Sequence, residues 1–245
     1  KVMQRRSNPG LRALANVSAI SEAPTAYHLG FVFGPRVNAG GRVGAADLGA
    51  RLLTTEVDEE AMDLANSLNT FNRERQDIEA QVLADALSSL EKNPPGAAVI
   101  AVGENWHPGV IGIVASRLKE RFNRPACVIS MNEDESLGTG SGRSVAGVDL
   151  GANVIAARQA GLLQRGGGHR MAAGFTVAKA QLPAFREFLE ERVATRVAEA
   201  GISPNLYLDG AVTLGGANLE LIETLERLAP YGSGNAEPRF VIPSA

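Results

Sequence analysis

The sequence predicts an α/β protein in which a partly parallel sheet domain follows a long connecting helix. Two observations carry this. From residue 97 onward, apolar runs of strand length alternate with apolar runs of helical period, the order that α/β layers produce. Before them, Val57, Ala61, Leu64, Leu68, Phe71, Ile78, Val82, Ala86 and Leu90 recur at steps of three, four or seven, which keeps them on one face of a helix.

In chain order, LGFVFGPRVNAGGRVG (residues 29–44) predicts a short apolar strand followed by a glycine-rich loop. Thr55 with Asp58 offers an N-cap for the long helix, and Asn93-Pro94-Pro95-Gly96 ends it. One helix of about 35 residues, or two in tandem, is a natural strut between domains; the alternative is a packed helix inside one domain. AAVIAV then reads as a strand, GVIGIVASRLKERF as a helix and ACVISM as a strand. DLGANVIAARQAGLL reads as a helix, MAAGFTV as a strand, and QLPAFREFLEERVATRVAEA as a closing helix with Leu182, Phe185, Phe188, Leu189 and Val193 inward. Beyond GISPN, the runs LYLDGAVTL and ANLELIETLERLA form a third unit.

A chain of 245 residues is long enough for one large or two modest domains with their own core. Its single cysteine, Cys127, lies in an apolar run and reads as a small buried hydrophobe of a reduced, cytoplasmic protein. No apolar run reaches the roughly 18 residues of a bilayer span, and KVMQRRSNPG has no apolar signal core, so no membrane partner is expected. The net charge of -3 argues weakly against nucleic acid, yet residues 1–51 carry +5 and the remainder -8. Local patches outweigh the total.

Four glycine-rich segments carry hydrogen-bond donors. In GGGH, Gly166, Gly167 and Gly168 let backbone N–H groups approach an anion, and His169 can donate to a phosphate or stack on a base. GTGSGRS (residues 138–144) adds the hydroxyl of Ser141 and the guanidinium of Arg143, donors matched to phosphate oxygens. Both are read as loops at strand ends in one cleft. Trp106-His107-Pro108-Gly109 opens a helix whose first-turn N–H groups form an anion site; Trp106 stacks on a base or packs under the helix. In GPRVNAGGR, Arg36, Asn38 and Arg42 suit phosphate contact, or pin a structural turn. Residues 132–135, an acidic run, read as a solvated turn. No metal cluster can be assembled: there is no D-x-D, no His-His pair, no HExxH and no CxxC, and His28, His107 and His169 are far apart in sequence.

Taken together, GPRVNAGGR, LLTTEVDEEAMDLANSLNTFNRERQ, NWHPGVIGIVASRL, GSGRS, GGGHRMAAGF and LAPYGSGNAEPRF resemble the RecJ family of single-stranded-DNA-specific exonucleases, within the DHH phosphoesterase superfamily. The resemblance implies a C-terminal remnant of a catalytic DHH domain at 1–55 and a connecting helix at 56–93. It further implies a DHH-associated substrate-binding domain at 94–203 and the start of an OB-fold at 204–245. The family's Asp and His-His motifs, which bind Mn2+ or Mg2+, are expected before residue 1, so no metal is expected on these residues themselves. By the same resemblance the parent enzyme releases 5'-mononucleotides in the 5'-3' direction during DNA repair and recombination. Ser141, Arg143 and His169 would grip the terminal nucleotide, and Arg36 or Arg42 the entering strand. Single-stranded DNA is the implied partner, with a helicase and a single-strand-binding protein as further ones. Ala39-Gly40-Gly41 departs from the family's alanine pair and loosens the first segment while leaving both arginines in place.

Two other readings compete. One is a DHH phosphoesterase for short oligonucleotides or cyclic dinucleotides, against which the OB-like tail argues. The other is a non-catalytic nucleic-acid-binding module, against which GPRVNAGGR argues, since it is expected beside a catalytic domain.

Overall fold

The computed structural model describes residues 7–132, 136–199, 206–232 and 234–243. Asn8 opens α1 (Pro9–Val17): its side chain accepts from the Leu11 N–H at 2.9 Å, and Pro9 fits the first turn. The next segment corrects the sequence reading. A π-helical turn at His28–Phe33 runs directly into α2 (Gly34–Val43), where a strand and a glycine loop were expected. Packing explains it. Ala39 and Gly40 are buried, and a Cβ on Gly40 would stand 3.1 Å from Leu68 Cδ2. The small residues that read as a loop therefore bring one helix close to another, against their intrinsic propensity.

After α3 (Leu48–Thr54), α4 (Asp58–Lys92) runs 35 residues without interruption, about 50 Å at the α-helical rise. Its N-cap is Val57, not Thr55. The Thr55 hydroxyl donates to Glu60 Oε2 at 2.6 Å, and Val57 is 56% exposed and does not begin the apolar face. Along α4 the apolar face serves two cores. Ala61, Leu64, Ala65 and Leu68 pack with α1, Phe33 and Leu52. Val82, Ala86 and Leu90 pack instead under β1 (Val99–Glu104), α5 (Pro108–Phe122) and β2 (Ala126–Met131). Between the two cores the buried residues turn polar, at Asn72 and Arg75.

β3 (Leu137–Arg143), α6 (Leu150–Gln159), β4 (Arg165–His169), β5 (Ala172–Ala178) and α7 (Leu182–Glu199) complete the main domain. The sheet order is β1-β2-β3-β5-β4, with β1 and β2 parallel and every other pair antiparallel. GTGSGR and GGGH are thus strands, not the loops expected from sequence. The glycines of β3 make room: Gly140 lies under the Phe175 ring and Gly142 under Leu150, on the face that α6 covers with Leu150, Val154 and Ala157 and α7 with Phe185, Leu189 and Val193. Leu182 and Phe188, also expected inward, are partly buried against the same cluster. Glu190 of α7 accepts from the N–H groups of Ala97 and Ala98 and ties the end of the strut to this layer.

β6 (Gly210–Ala211) and β7 (Phe240–Val241) pair in parallel, with α8 (Leu219–Glu226) between them in sequence. Tyr207, Leu214 and Leu219 here remain exposed. Residues 133–135 of the expected acidic turn lie outside the described residues. Among the described residues, no helix is long and apolar enough to cross a membrane.

Candidate nucleic-acid interface

Directly opposed residues of an antiparallel pair share a face of the sheet. Ser141 stands opposite Val128 and Gly174, and Gly174 opposite Gly167. One rung away, Arg143 stands opposite Ala126 and Ala172, and Ala172 opposite His169. Ala126 and Val128 belong to the core beneath α5, so Ser141, Arg143 and His169 lie on the α5 side of the sheet. Two expected donor segments therefore meet on one surface.

That surface is largely bare. A Cβ placed on Gly167 would find nothing within 4 Å, and one on Gly174 only Gly140 O at 3.9 Å. Beyond the edge of α5, β5 and β4 thus offer a floor at backbone height, with Arg143 and Ser141 along one side and His169 at the hairpin end. The Arg170-Met171 turn of that hairpin is anchored by Leu150 N–H donating to Arg170 O at 3.1 Å and Ser144 N–H to Met171 O at 2.9 Å. Another rung, Thr139, Thr176 and Arg165, borders the same floor; sequence reasoning missed Thr176 and Arg165, which sit outside GTGSGRS and GGGH, and passed over Thr139 inside the first of these because its place on the strand face was not read.

Arg143 Nη1 donates to Ser141 Oγ at 3.1 Å and to Gly142 O at 2.8 Å. Burial, and then the charge of Arg42, push its pKa below the usual guanidinium value. Arg42 comes from α2, and its Nη1 donates to Gly109 O at 3.0 Å. A Cβ on Gly109 would collide with the Arg42 carbonyl. Two guanidiniums from separate parts of the chain are thereby brought near enough for the charge of one to act on the other, and neither has a carboxylate in ion-pair range among the described residues.

His107 caps α5, its Nδ1 accepting from Gly109 N–H at 3.0 Å and its carbonyl from Val110 N–H at 3.0 Å, so these first-turn N–H groups are already used by the helix's own cap. Trp106 corrects an expectation: at 7% exposure its ring packs over Gly103 in the core, and Ser130 Oγ donates to its carbonyl at 2.6 Å. It presents no face to a base. The helical form of α2 also separates residues expected in one loop. Asn38 and Arg42, four apart, share a face of the helix, whereas Arg36 turns to α4, its Nε donating to Asn69 Oδ1 at 2.9 Å and its Nη1 to Val32 O at 2.8 Å.

Among the described residues, no three His, Cys, Asp or Glu side chains are placed to hold a metal ion. The donors here, guanidinium, hydroxyl and imidazole, suit an anion better than a divalent cation.

A mixed five-stranded sheet carrying a glycine floor, an SGR strand and a GGGH edge strand defines a DHH-associated domain. Residues 95–195 match the DHHA1 domain model, and residues 208–245 match the RecJ OB domain. The chain belongs to the RecJ family. It is 33% identical over 246 residues to the single-stranded-DNA-specific exonuclease RecJ of Bacillus subtilis, covering 99% of this chain and 31% of that protein. Crystal structures of RecJ from Thermus thermophilus with Mg2+ and with Mn2+ superpose with TM-scores of 0.79 and 0.80 at 34% identity, each covering 95% of this chain. They are covered over 35% and 34% of their own length, so the chain spans about a third of these relatives.

Proposed function

We propose that this chain is the strand-holding part of a RecJ-like single-stranded-DNA exonuclease, divided as the sequence suggests into a catalytic-domain remnant (1–55), a connecting helix (56–93), a substrate-binding domain (94–203) and the start of an OB-fold (204–245). The observation that supports it best is the unneutralised pair Arg42 and Arg143 beside a floor without side chains. The charge of Arg42 acts unfavourably on the half-buried Arg143, and an anion bound by both relieves the repulsion. The terminal phosphate of a strand is such an anion. The Ser141 hydroxyl accepts from Arg143 and keeps its own proton for a phosphate oxygen. Gly167 and Gly174 let sugar and base lie against the sheet, where His169 donates or stacks.

In the whole protein, a divalent metal, Mn2+ or Mg2+, would supply the activated water for 5'-3' hydrolysis to mononucleotides in repair and recombination. These residues contribute by binding and orienting the strand. A helicase and a single-strand-binding protein as partners, and a cytoplasmic location, belong to the same proposal and rest on the family.

The test is a titration of the chain with a 5'-phosphorylated single strand and the matching duplex at equal salt. Tighter binding of the single strand is expected, because a flat backbone floor receives an unstacked base and not a paired one. Equal affinity for both would contradict the reading.

A further inference from the structure

On the other side of α5, away from the floor, a groove of about 760 Å3 opens between α2, α4 and α5. Gly112 of α5 faces Ser141 and Arg143, whereas Ile113 and Arg117 of the same helix line this groove. The helix is therefore a wall with a cationic site on each side. Arg36, Arg73 and Arg75 line the opposite bank, with Phe31 at the mouth.

The charge in the groove is unbalanced. Glu79 answers two of the arginines, meeting Arg75 at 2.6 Å and Arg117 at 3.3 Å. Arg73 is exposed and has no carboxylate partner among the described residues. Its charge, after burial, holds the Arg36 pKa below the ordinary guanidinium range. Arg75 is only 9% exposed, yet its Nε has no hydrogen-bond partner. Arg73, a cation without a counter-charge in a groove lined by three further arginines and a single carboxylate, describes a place for an anion.

The mouth adds an aromatic surface. Phe31 is 72% exposed and stacks on Tyr27 with ring centroids 5.1 Å apart and planes 28° from parallel. Exposed stacked rings beside unpaired arginines are the combination that holds single-stranded nucleic acid, with bases on the rings and phosphates on the cations.

We propose that this groove is a second strand-binding site, in which Phe31 and Tyr27 stack bases while Arg36 and Arg73 hold the phosphates between them. It rests on the strand-holding function proposed above but not on the floor itself. The floor receives the strand's phosphorylated end, and the groove receives interior nucleotides, so its contribution is independent of the terminal phosphate.

The experiment measures binding of the 245-residue chain to a strand of about 20 nucleotides, longer than one roughly 4–16-nucleotide footprint, with and without a 5'-phosphate. Arg73→Ala and Phe31→Ala both alter exposed side chains and leave the cores intact. Each is expected to weaken binding roughly five- to tenfold, equally for the two strands, and Arg73→Ala to lower the salt slope by about one. Arg143→Ala serves as the control for the floor. If it weakens the phosphorylated strand while Arg73→Ala and Phe31→Ala bind as the parent does, the groove is overturned and the floor stands. If the groove variants weaken binding and Arg143→Ala does not, the groove stands and the floor falls. A parent chain that binds neither strand overturns both.

Discussion

Ser141 Oγ accepts a hydrogen bond from Arg143 Nη1 at 3.1 Å, and this pair fits beneath α5 only because Gly112 has no side chain. A Cβ there would stand 2.9 Å from Arg143 Nη2 and 3.0 Å from Ser141 Oγ.

Gly112→Ala is therefore expected to separate binding from stability. The clash falls on the movable end of Arg143, and alanine favours a helix interior by about 1 kcal/mol over glycine. The melting temperature should hold or rise, while affinity for a 5'-phosphorylated strand falls roughly tenfold, the worth of one charged hydrogen bond. Thermal melts and binding isotherms on the same preparation check both.

Gly151→Ala should behave in the opposite way. Its Cβ would meet Gly168 C, His169 N and His169 O, each at 2.9 Å, and backbone cannot swing aside. Denaturant unfolding should show a loss of about 1–3 kcal/mol, as for overpacked cores.

The Glu79 carboxylate joins Arg75 of the strut to Arg117 of α5. Glu79→Gln leaves the largely buried Arg75 without its counter-charge and is expected to destabilise the chain by roughly 3 kcal/mol. Asp63→Asn, on an exposed carboxylate of the same helix away from these arginines, should change stability little. Urea unfolding of the two variants beside the parent checks the contrast.

Burial pushes the Cys127 thiol from 9.0 up to about 12. The neutral thiol is thus favoured in the fold, and its stabilising effect is complete below pH 9.0 and is lost as the pH rises toward about 12. At about pH 8, below the ordinary thiol range, the native chain should resist alkylation by iodoacetamide and react fully once unfolded. Rapid modification of the native chain would place Cys127 outside the core.

The helices and apolar strands were legible in the sequence because their burial follows a simple period. α5, β1, β2 and α7 lie where the apolar runs put them, and α4 keeps one apolar face over most of its length. The errors cluster where glycine carries the packing. Glycine is unfavourable in strands, so GTGSGR and GGGH read as loops. Yet Gly138, Gly140 and Gly142 alternate with Thr139, Ser141 and Arg143, a period of two that itself marks a strand. In residues 29–44 the same small residues reflect close contact with α4, which no local pattern reveals. Donor types in the site were legible, but not their partition. Once α2 is a helix, Arg42 goes to the floor and Arg36 to the groove. Gly112 was hidden inside an ordinary helical run, and Trp106 carried no sign of which side it would take.

The most direct test compares 5'-phosphorylated and 5'-hydroxyl single strands on the parent chain, Arg143→Ala and His169→Ala at matched salt. The parent should prefer the phosphorylated strand; Arg143→Ala should lose that preference and roughly tenfold in affinity, and His169→Ala should weaken both strands about fivefold or more. Unchanged affinity in both variants would mean that the glycine floor does not hold the strand.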